Sequence, residues 1–423
     1  MEEKVLRNSF TMISVRTIVI VGGGAAGFFA AANLLERLSY CKILILEKSN
    51  KLLAKVRISG GGRCNVTHDC EEISELIRNY PRGGRQLKKV FSQFAVRETK
   101  QWFEQRGVKL KKEADGRIFP QSDTSQTIID CLLHFCKDPR VEVHTHCEVF
   151  SIRKTGNDFF LETSNGQVRS DSVLVAAGGF PKPSGYEFLK WTGHRISNPI
   201  PSLFTLNLTN RDIVKFMGVS VKNAEVKVAG THVQYKGPVL ITHWGLSGPA
   251  VLKLSAFAAE LFFEKKYNAD IVVNWLGDFS EQQVRELLDD LRRQRGSALP
   301  TNTNIFHLPE RLWNYFLLVA GVEANKNWSE QSGKSFHRLV SKLCSDVYRM
   351  EGKTTFKEEF VTCGGVELSE VDMNTMQSKL VRGLFFAGET LNIDGITGGF
   401  NFQAAWSTSY VSAKNICNYS NQL

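Results

Sequence analysis

Apolar, β-branched residues run from Ile18 to Val21, stop at three consecutive glycines, and give way to small and apolar residues at Ala25, Ala26, Ala30 to Ala32, Leu34 and Leu35. That is the pattern of a buried strand, a sharp turn and a closely packed helix. A second apolar run, Ile43 to Leu46, ends in Glu47. Over 71–106, Phe91, Phe94, Val96, Trp102 and Phe103 stand between charges, a helical pattern whose aromatics suit a core. A further helix starts near Ser122 or Asp123 and turns Ile128, Ile129, Leu132 and Leu133 inward. From Val141 the period changes to two. Strands are expected over 141–143, 147–152, 159–163 and 167–170, with Asn165-Gly166 as a hairpin signal. The next strand, Ser172 to Val175, runs into Ala176, Ala177, Gly178 and Gly179. Small residues there suit a sheet edge that meets a ligand.

Prolines at 181, 183, 199 and 201 mark a crossing into another domain. Beyond it, strand-like runs cover 203–208, 224–229, 232–235 and 271–274. Gly237 to Ala250 reads as strand, glycine-punctuated turn and a helix from Pro249 or Ala250. A helix over 281–295 keeps Val284, Leu287, Leu288 and Leu291 on one face, and 308–345 is helical. Gly383 to Glu389 is again a strand ending in small residues and a carboxylate, and Gly398-Gly399 opens a final helix. Two glycine-rich strand ends so far apart predict one nucleotide-binding domain split by an insertion. Residues 1–15 carry no strong pattern and read as a tail or an edge element.

The candidate chemistry follows from these turns. Gly22, Gly24 and Gly27 fit G-x-G-x-x-G between a strand and a helix, the fingerprint of a pyrophosphate bound at a helix N-terminus. Glu47 lies 25 residues past Gly22, close to the spacing of a carboxylate that accepts from a ribose hydroxyl. Residues 48–67 read as a loop around Gly60 to Gly62, followed by Arg63, Cys64 and Asn65. Lys51, Lys55, Arg57 and Arg63 are expected over phosphates. The helix start at Gly398-Gly399 can aim backbone N–H groups at an electron-rich ring or a developing anion. His243 and Cys64 are the side chains considered for catalysis, and a packing role is the simpler reading of Cys64. Ser247 sits in no nucleophile elbow, and no cysteine spacing supports a metal site.

The composition of the 423 residues is that of an ordinary globular chain, with net charge +10 and pI about 9.1. The Lys and Arg residues are dispersed, so a nucleic-acid partner is disfavoured and an anionic ligand is the better use of the charge. Nine scattered cysteines without a C-x-x-C pair suit free thiols in a reducing cytoplasm. No apolar run reaches the ~18 residues of a membrane span.

Three blocks together carry a family resemblance. They are Ile20 to Gly27 with Ile58-Ser-Gly-Gly-Gly-Arg-Cys-Asn65, then Thr242-His-Trp-Gly-Leu-Ser-Gly-Pro249, and Phe386-Ala-Gly-Glu389 with Asp394-Gly-Ile-Thr-Gly-Gly-Phe-Asn-Phe-Gln403. The chain resembles the HI0933-like, BaiN-like (aminoacetone-oxidase-like) bacterial flavoproteins from about residue 16 to 415. The resemblance implies an α/β fold: a glutathione-reductase-like FAD-binding Rossmann domain, split in sequence, with an inserted β-rich, barrel-like domain and a small helical subdomain. The implied segments are 16–197 and 363–418 for the FAD domain, 198–275 and 336–362 for the insert, and 276–335 for the helical part. It implies non-covalent FAD, with Gly22, Gly24, Ala25, Ala26 and Gly27 at the pyrophosphate and Glu47 and Lys48 at the adenosine end. Arg63, Cys64 and Asn65 would lie near the cofactor, Val149 would meet adenine through its backbone, and Ala177, Gly178 and Gly179 would line the dinucleotide. Gly388 and Glu389 would meet the ribityl or pyrophosphate, and Gly398, Gly399, Phe400, Asn401 and Phe402 the isoalloxazine. The chain departs from the family after Gly179, where Phe180 to Gly185 is shorter than the usual Ser/Thr/Gly-rich loop. The expected activity is hydride transfer between flavin N5 and a small-molecule substrate, with transient NAD(P)H as a candidate donor. A tRNA-modifying flavoprotein and a non-enzymatic flavin-binding protein are the alternatives. The substrate and oligomeric state stay open.

Overall fold

A computed structural model describes residues 15–209, 211–354 and 361–420. The expected N-terminal tail and part of the return segment 336–362 lie outside these residues. The chain forms two compact units: one runs to Pro199 and resumes at Gly364, and the other is Ile200–Cys363.

The first unit is built on a seven-stranded sheet. Strand Arg16–Val21 lies in parallel between Cys41–Leu46 and Ser172–Val175, with Val141–His144 beyond one and Leu384–Phe386 beyond the other. Ile18, Val19, Ile20, Ile43, Ile45, Val173, Leu174 and Val175 are fully buried, as strands covered on both faces require. Helix Ala25–Leu35 is buried along almost its whole length. Its small residues let it lie against the C-terminal helix Phe400–Ser420 in one core, where Phe29 meets Trp406 at 5.1 Å. A meander of Val149–Thr155, Asp158–Thr163 and Gly166–Ser170 joins this unit, and its second turn uses Gly166 at φ +104.

Residues 48–67 are more ordered than the expected loop. A short helix starts at Ala54 and loses helical geometry at Ser59, after which Gly60 and Gly61 turn left-handed at φ +59 and +69. Leu110–Lys112, Arg117–Pro120 and Thr67–His68 form a small antiparallel sheet.

The second unit holds a closed six-stranded barrel: Thr205–Leu208, Gly245–Ser247, Gln234–Ile241, Ser220–Val228, Asn268–Asn274 and Asp346–Thr354, in that order. The strand-like runs read at 232–235 and from Gly237 are one strand, Gln234–Ile241, within which Gly237 takes φ +145. The helical stretch read over 308–345 is two helices, Glu310–Ala320 and Gly333–Cys344. They and helix Glu281–Gln294 bury Val284, Leu288, Trp313, Phe316 and Leu339 in the same core as the barrel's Val226, Ile271 and Val273.

Candidate dinucleotide site

Register decides where the first unit's glycines meet. Val21 pairs with both Leu46 and Val175, and Val175 pairs with Phe386. The four strands therefore end level, and Gly22, Glu47, Ala177-Gly178 and Gly388-Glu389 all follow at one edge of the sheet. This is the carboxyl edge, where open α/β sheets bind ligands.

The glycines of the first turn differ in what holds them. Gly22 takes φ +116, and a Cβ there would come within 2.4 Å of the Ala176 carbonyl oxygen. A Cβ on Gly27 would come within 2.0 Å of the Gly22 carbonyl oxygen, so helix and turn touch backbone to backbone. Gly24 is the opposite case: a Cβ there meets nothing within 4 Å. Gly24 is also the N-cap of helix Ala25–Leu35, which has no side-chain cap and no acid in its first turn. Half-exposed Ala25 and its neighbours Ala26 and Gly27 thus start a helix whose free N–H groups and dipole suit an anion.

The other strand ends close on this turn. A Cβ on Gly388, at φ +67, would stand 3.1 Å from the Ala26 methyl, and the Gly388 N–H donates to Thr408 Oγ1 at 2.9 Å. Thr390 Oγ1 donates to the Gly178 carbonyl at 3.3 Å. Ala177, Gly178 and Gly179 are half-exposed around that hydrogen bond. Glu47 accepts from the Gly23 N–H through Oε2 at 2.9 Å, and from the Ser49 N–H and hydroxyl through Oε1 at 2.9 and 2.8 Å. Each oxygen has two lone pairs, and Oε2 keeps one for a ligand, so the carboxylate is oriented and still able to accept. The Cys147 N–H donates to the Glu47 carbonyl at 2.9 Å, which brings the start of the meander, and Val149, beside that carboxylate's strand end. Lys48 lies over the Phe180 ring at 5.0 Å.

Three of the basic residues of 48–67 expected over phosphates have side-chain partners of their own. Lys55 pairs with Glu389, and Arg57 donates to Gln126 at 2.9 Å. Arg63 donates to Glu113 at 2.6 Å and stacks over Phe119 at 4.0 Å. Its guanidinium is held against the small sheet, so Arg63 braces the loop. At this edge the glycine turn and the helix start offer backbone donors.

Cys64 and Asn65 close the glycine loop from below. Cys64 is fully buried in the core, at φ +62. Burial pushes its thiol up to about 12, which makes it an inert packing group rather than a nucleophile. Asn65 is 7% exposed, and its Oδ1 is buried without a hydrogen-bond partner. That oxygen lies 2.8 Å from where a Gly399 Cβ would stand, and the Thr67 carbonyl carbon lies at 2.6 Å, so only glycine fits at 399.

Gly398 and Gly399, at φ +117 and +96, lead into the C-terminal helix. His68 Nδ1 lies 3.1 Å from the Gly398 carbonyl oxygen, and its ring stacks on Phe400 at 4.7 Å. Tyr80 donates to the Phe400 carbonyl at 2.7 Å. Asn401 clamps Gly395 twice, accepting from its N–H at 2.8 Å and donating to its carbonyl at 2.9 Å. Phe402 stacks on Trp406 at 5.6 Å. Fully buried Gln403 accepts from Thr67 at 2.6 Å and donates to Thr99 and Ser407 at 2.9 Å each. Arg82 grips fully buried Asp394, with Nε donating to Oδ1 at 2.6 Å. Sequence reasoning does not single out Thr67, His68, Tyr80, Arg82, Asp394 or Gln403 as site residues. Asp394 and Gln403 flank the glycine string and are legible there only as motif letters.

His243 belongs to the second unit, exposed in the turn between strands Gln234–Ile241 and Gly245–Ser247. Among the described residues no helix is long and apolar enough to cross a membrane, and all nine cysteines are free.

These residues fit a dinucleotide. Open space at Gly24, an uncapped helix start, a carboxylate oriented by Gly23 and Ser49 and an orphaned buried amide oxygen occur in one unit.

The comparisons with known proteins agree. The family model described as the HI0933-like protein Rossmann domain matches residues 16–415. A 3-dehydro-bile acid delta(4,6)-reductase of Clostridium scindens is 27% identical over 407 residues, 94% of this chain and 98% of that protein. A ribosomal RNA dihydrouridine synthase of Escherichia coli is 28% identical over 412 residues, 94% of this chain and 97% of that protein. Among solved structures, the 3-ketosteroid delta1-dehydrogenase of Sterolibacterium denitrificans shares the fold. Its TM-score is 0.51 at 12% identity, covering 95% of this chain and 100% of that one.

Proposed function

The chain belongs to the HI0933-like family of FAD-dependent oxidoreductases, and from that premise we propose that it binds FAD at the carboxyl edge described above and uses it to move a hydride to or from a small organic substrate. The observation that carries this reading is the level ending of four strands around a Gly24 that faces open space. The turn Gly22–Gly27 and the free N–H groups of helix Ala25–Leu35 would hold the pyrophosphate. Glu47 would accept from the ribose. Gly388 and Gly178 keep side chains out of the dinucleotide's path. The helix start at Gly399 to Phe402, braced by Gln403 and Asn401, would face the ring and favour negative charge there. When bound, the flavin supplies the hydride chemistry, and the protein supplies position and electrostatics.

Four thiols of this unit are unsuited to nucleophilic work: burial raises Cys64 to about 12, and half-buried Cys131 and Cys136 and buried Cys417 to about 11. The reading therefore assigns no covalent intermediate to the chain. A reduced nicotinamide is the proposed donor, docking transiently, since only one dinucleotide fingerprint is present in the sequence. The Escherichia coli relative's name supports a second reading, in which the reduced group is a base in RNA.

Anaerobic mixing of the FAD-loaded protein with NADH and with NADPH tests the proposal. Bleaching of the visible flavin bands by one of the two is expected. Flavin that stays oxidised with both nicotinamides and with a panel of reduced organic substrates would remove the oxidoreductase reading. RNA that reoxidises the bleached flavin, where small enones do not, would favour the second reading.

A further inference from the structure

Two of the chain's basic residues line a cavity away from the dinucleotide edge. A cavity of about 450 Å³ opens between the meander, the short helical stretch Pro183–Thr192 and residues 380–382. Arg382 and Gly383 precede strand Leu384–Phe386, whereas Gly388 follows it. The cavity thus lies toward the amino ends of the parallel strands, and the glycine turn lies at their carboxyl ends.

Its floor is apolar and its rim is cationic. Ile152 and Phe159 are buried beneath it. Lys154 lies over the Phe159 ring at 5.2 Å and donates to the Arg382 carbonyl. Trp191 is 61% exposed, with the Arg153 guanidinium over its ring at 4.4 Å. Among the described residues, none of Arg153, Lys154 and Arg382 forms an ion pair with a carboxylate. Burial and the neighbouring Arg382 also hold the Lys154 ammonium below its ordinary value. The cavity thus joins an exposed indole to two lining cations, Lys154 and Arg382, neither paired with a carboxylate, with the Arg382 guanidinium over the Tyr419 ring at 5.5 Å, a combination that suits an aromatic anion.

We propose that this cavity binds a nucleotide unit, its base stacked on Trp191 and its phosphate between Lys154 and Arg382. Base stacking on an aromatic ring with a flanking arginine, and phosphate held by lysine and arginine, are the two halves of nucleotide recognition. A volume near 450 Å³ lies inside the ~300–1,000 Å³ range of small-ligand pockets. The same unit occurs in a free mononucleotide and in a single-stranded RNA. The proposal is independent of the flavin reading, because neither Trp191 nor Arg382 belongs to the dinucleotide edge.

The test uses protein already saturated with FAD, so that the dinucleotide site cannot take the probe. AMP and UMP are titrated by calorimetry, and a fluorescein-labelled single-stranded RNA by anisotropy. Saturable binding of at least one probe is expected. Trp191→Ala should weaken it about tenfold, the scale of one base stack, while Trp191→Phe keeps most of it. Lys154→Met with Arg382→Gln should flatten the salt dependence of strand binding by about 0.7 in slope for each phosphate left without its cation. Binding of the strand alone assigns the site to RNA, and binding of mononucleotides alone assigns it to a metabolite. The FAD content of each variant confirms that it folds. No binding of any probe, or binding that Trp191→Ala and the double variant leave unchanged, would overturn the proposal.

Discussion

Gly24 and Gly27 stand three residues apart and do different work. At Gly27 a methyl group would collide with the Gly22 carbonyl at 2.0 Å, so Gly27→Ala forces the backbone apart. We expect a loss of about 1–3 kcal/mol or more in urea unfolding of the apoprotein, the scale of an overpacked core. At Gly24 a methyl meets nothing within 4 Å, so Gly24→Ala should cost the apoprotein about 1 kcal/mol or less. The same methyl would occupy the space assigned to the pyrophosphate, and FAD affinity should fall at least tenfold by titration (~1.4 kcal/mol). Wild-type affinity in Gly24→Ala would place the phosphates elsewhere. Cys64 makes a second prediction. Its thiol ordinarily titrates at 9.0 and is raised to about 12 in the fold. The unfolded chain therefore releases this proton first as pH rises. Its contribution to stability is full below pH 9 and is lost progressively toward pH 12. Denaturation midpoints should fall above pH 9, and iodoacetamide should label Cys64 only after unfolding. Labelling of Cys64 in the folded protein would contradict its burial.

At the scale of elements, the C-terminal helix is tied to the glycine loop by side chains rather than by main-chain pairing. Gln403 alone joins Thr67, Thr99 and Ser407 in a fully buried cluster. Gln403→Leu keeps the volume and orphans those hydroxyls, and a loss of about 2–4 kcal/mol is expected from chemical denaturation. A near-neutral result would mean that the three groups find other partners. These ties show where the sequence stops being legible. The strand–glycine–helix at 18–35 and the two later strand ends can be read, because apolar runs that stop at small residues are local signals. The site's carboxylate spacing and its glycine helix start at 398 are local too. The pairing of Arg63 is not legible because charge alone does not say which partner wins, and Glu113 with the Phe119 face lies some fifty residues on. Tyr80, Arg82 and Gln403 escape it because their partners come from the other end of the chain. The break between Glu310–Ala320 and Gly333–Cys344 is marked locally, by Gly321 at φ +75 and by Ser332 as N-cap on either side of a mostly polar stretch, and reading 308–345 as one helical segment passes over those signals.

At the scale of the molecule, the first unit is closed by residues beyond 363. Strand Leu384–Phe386 pairs with Ser172–Val175, and the last helix covers Phe29 and Ala30 of the first helix's core. A chain ended at Cys363 should therefore expose that apolar face, aggregate, and hold no flavin, as sedimentation and absorbance would show. Monomeric, FAD-bound protein from that truncation would refute the split-domain reading. The central claim is that both ends of the chain assemble one flavin site, and the most direct test is the FAD content of the purified full-length protein, released by denaturation and quantified against protein. FAD equimolar with the chain, taken up on reconstitution if lost in purification and reduced in Gly24→Ala, is the result predicted. A colourless protein that cannot be reconstituted with FAD would contradict the account.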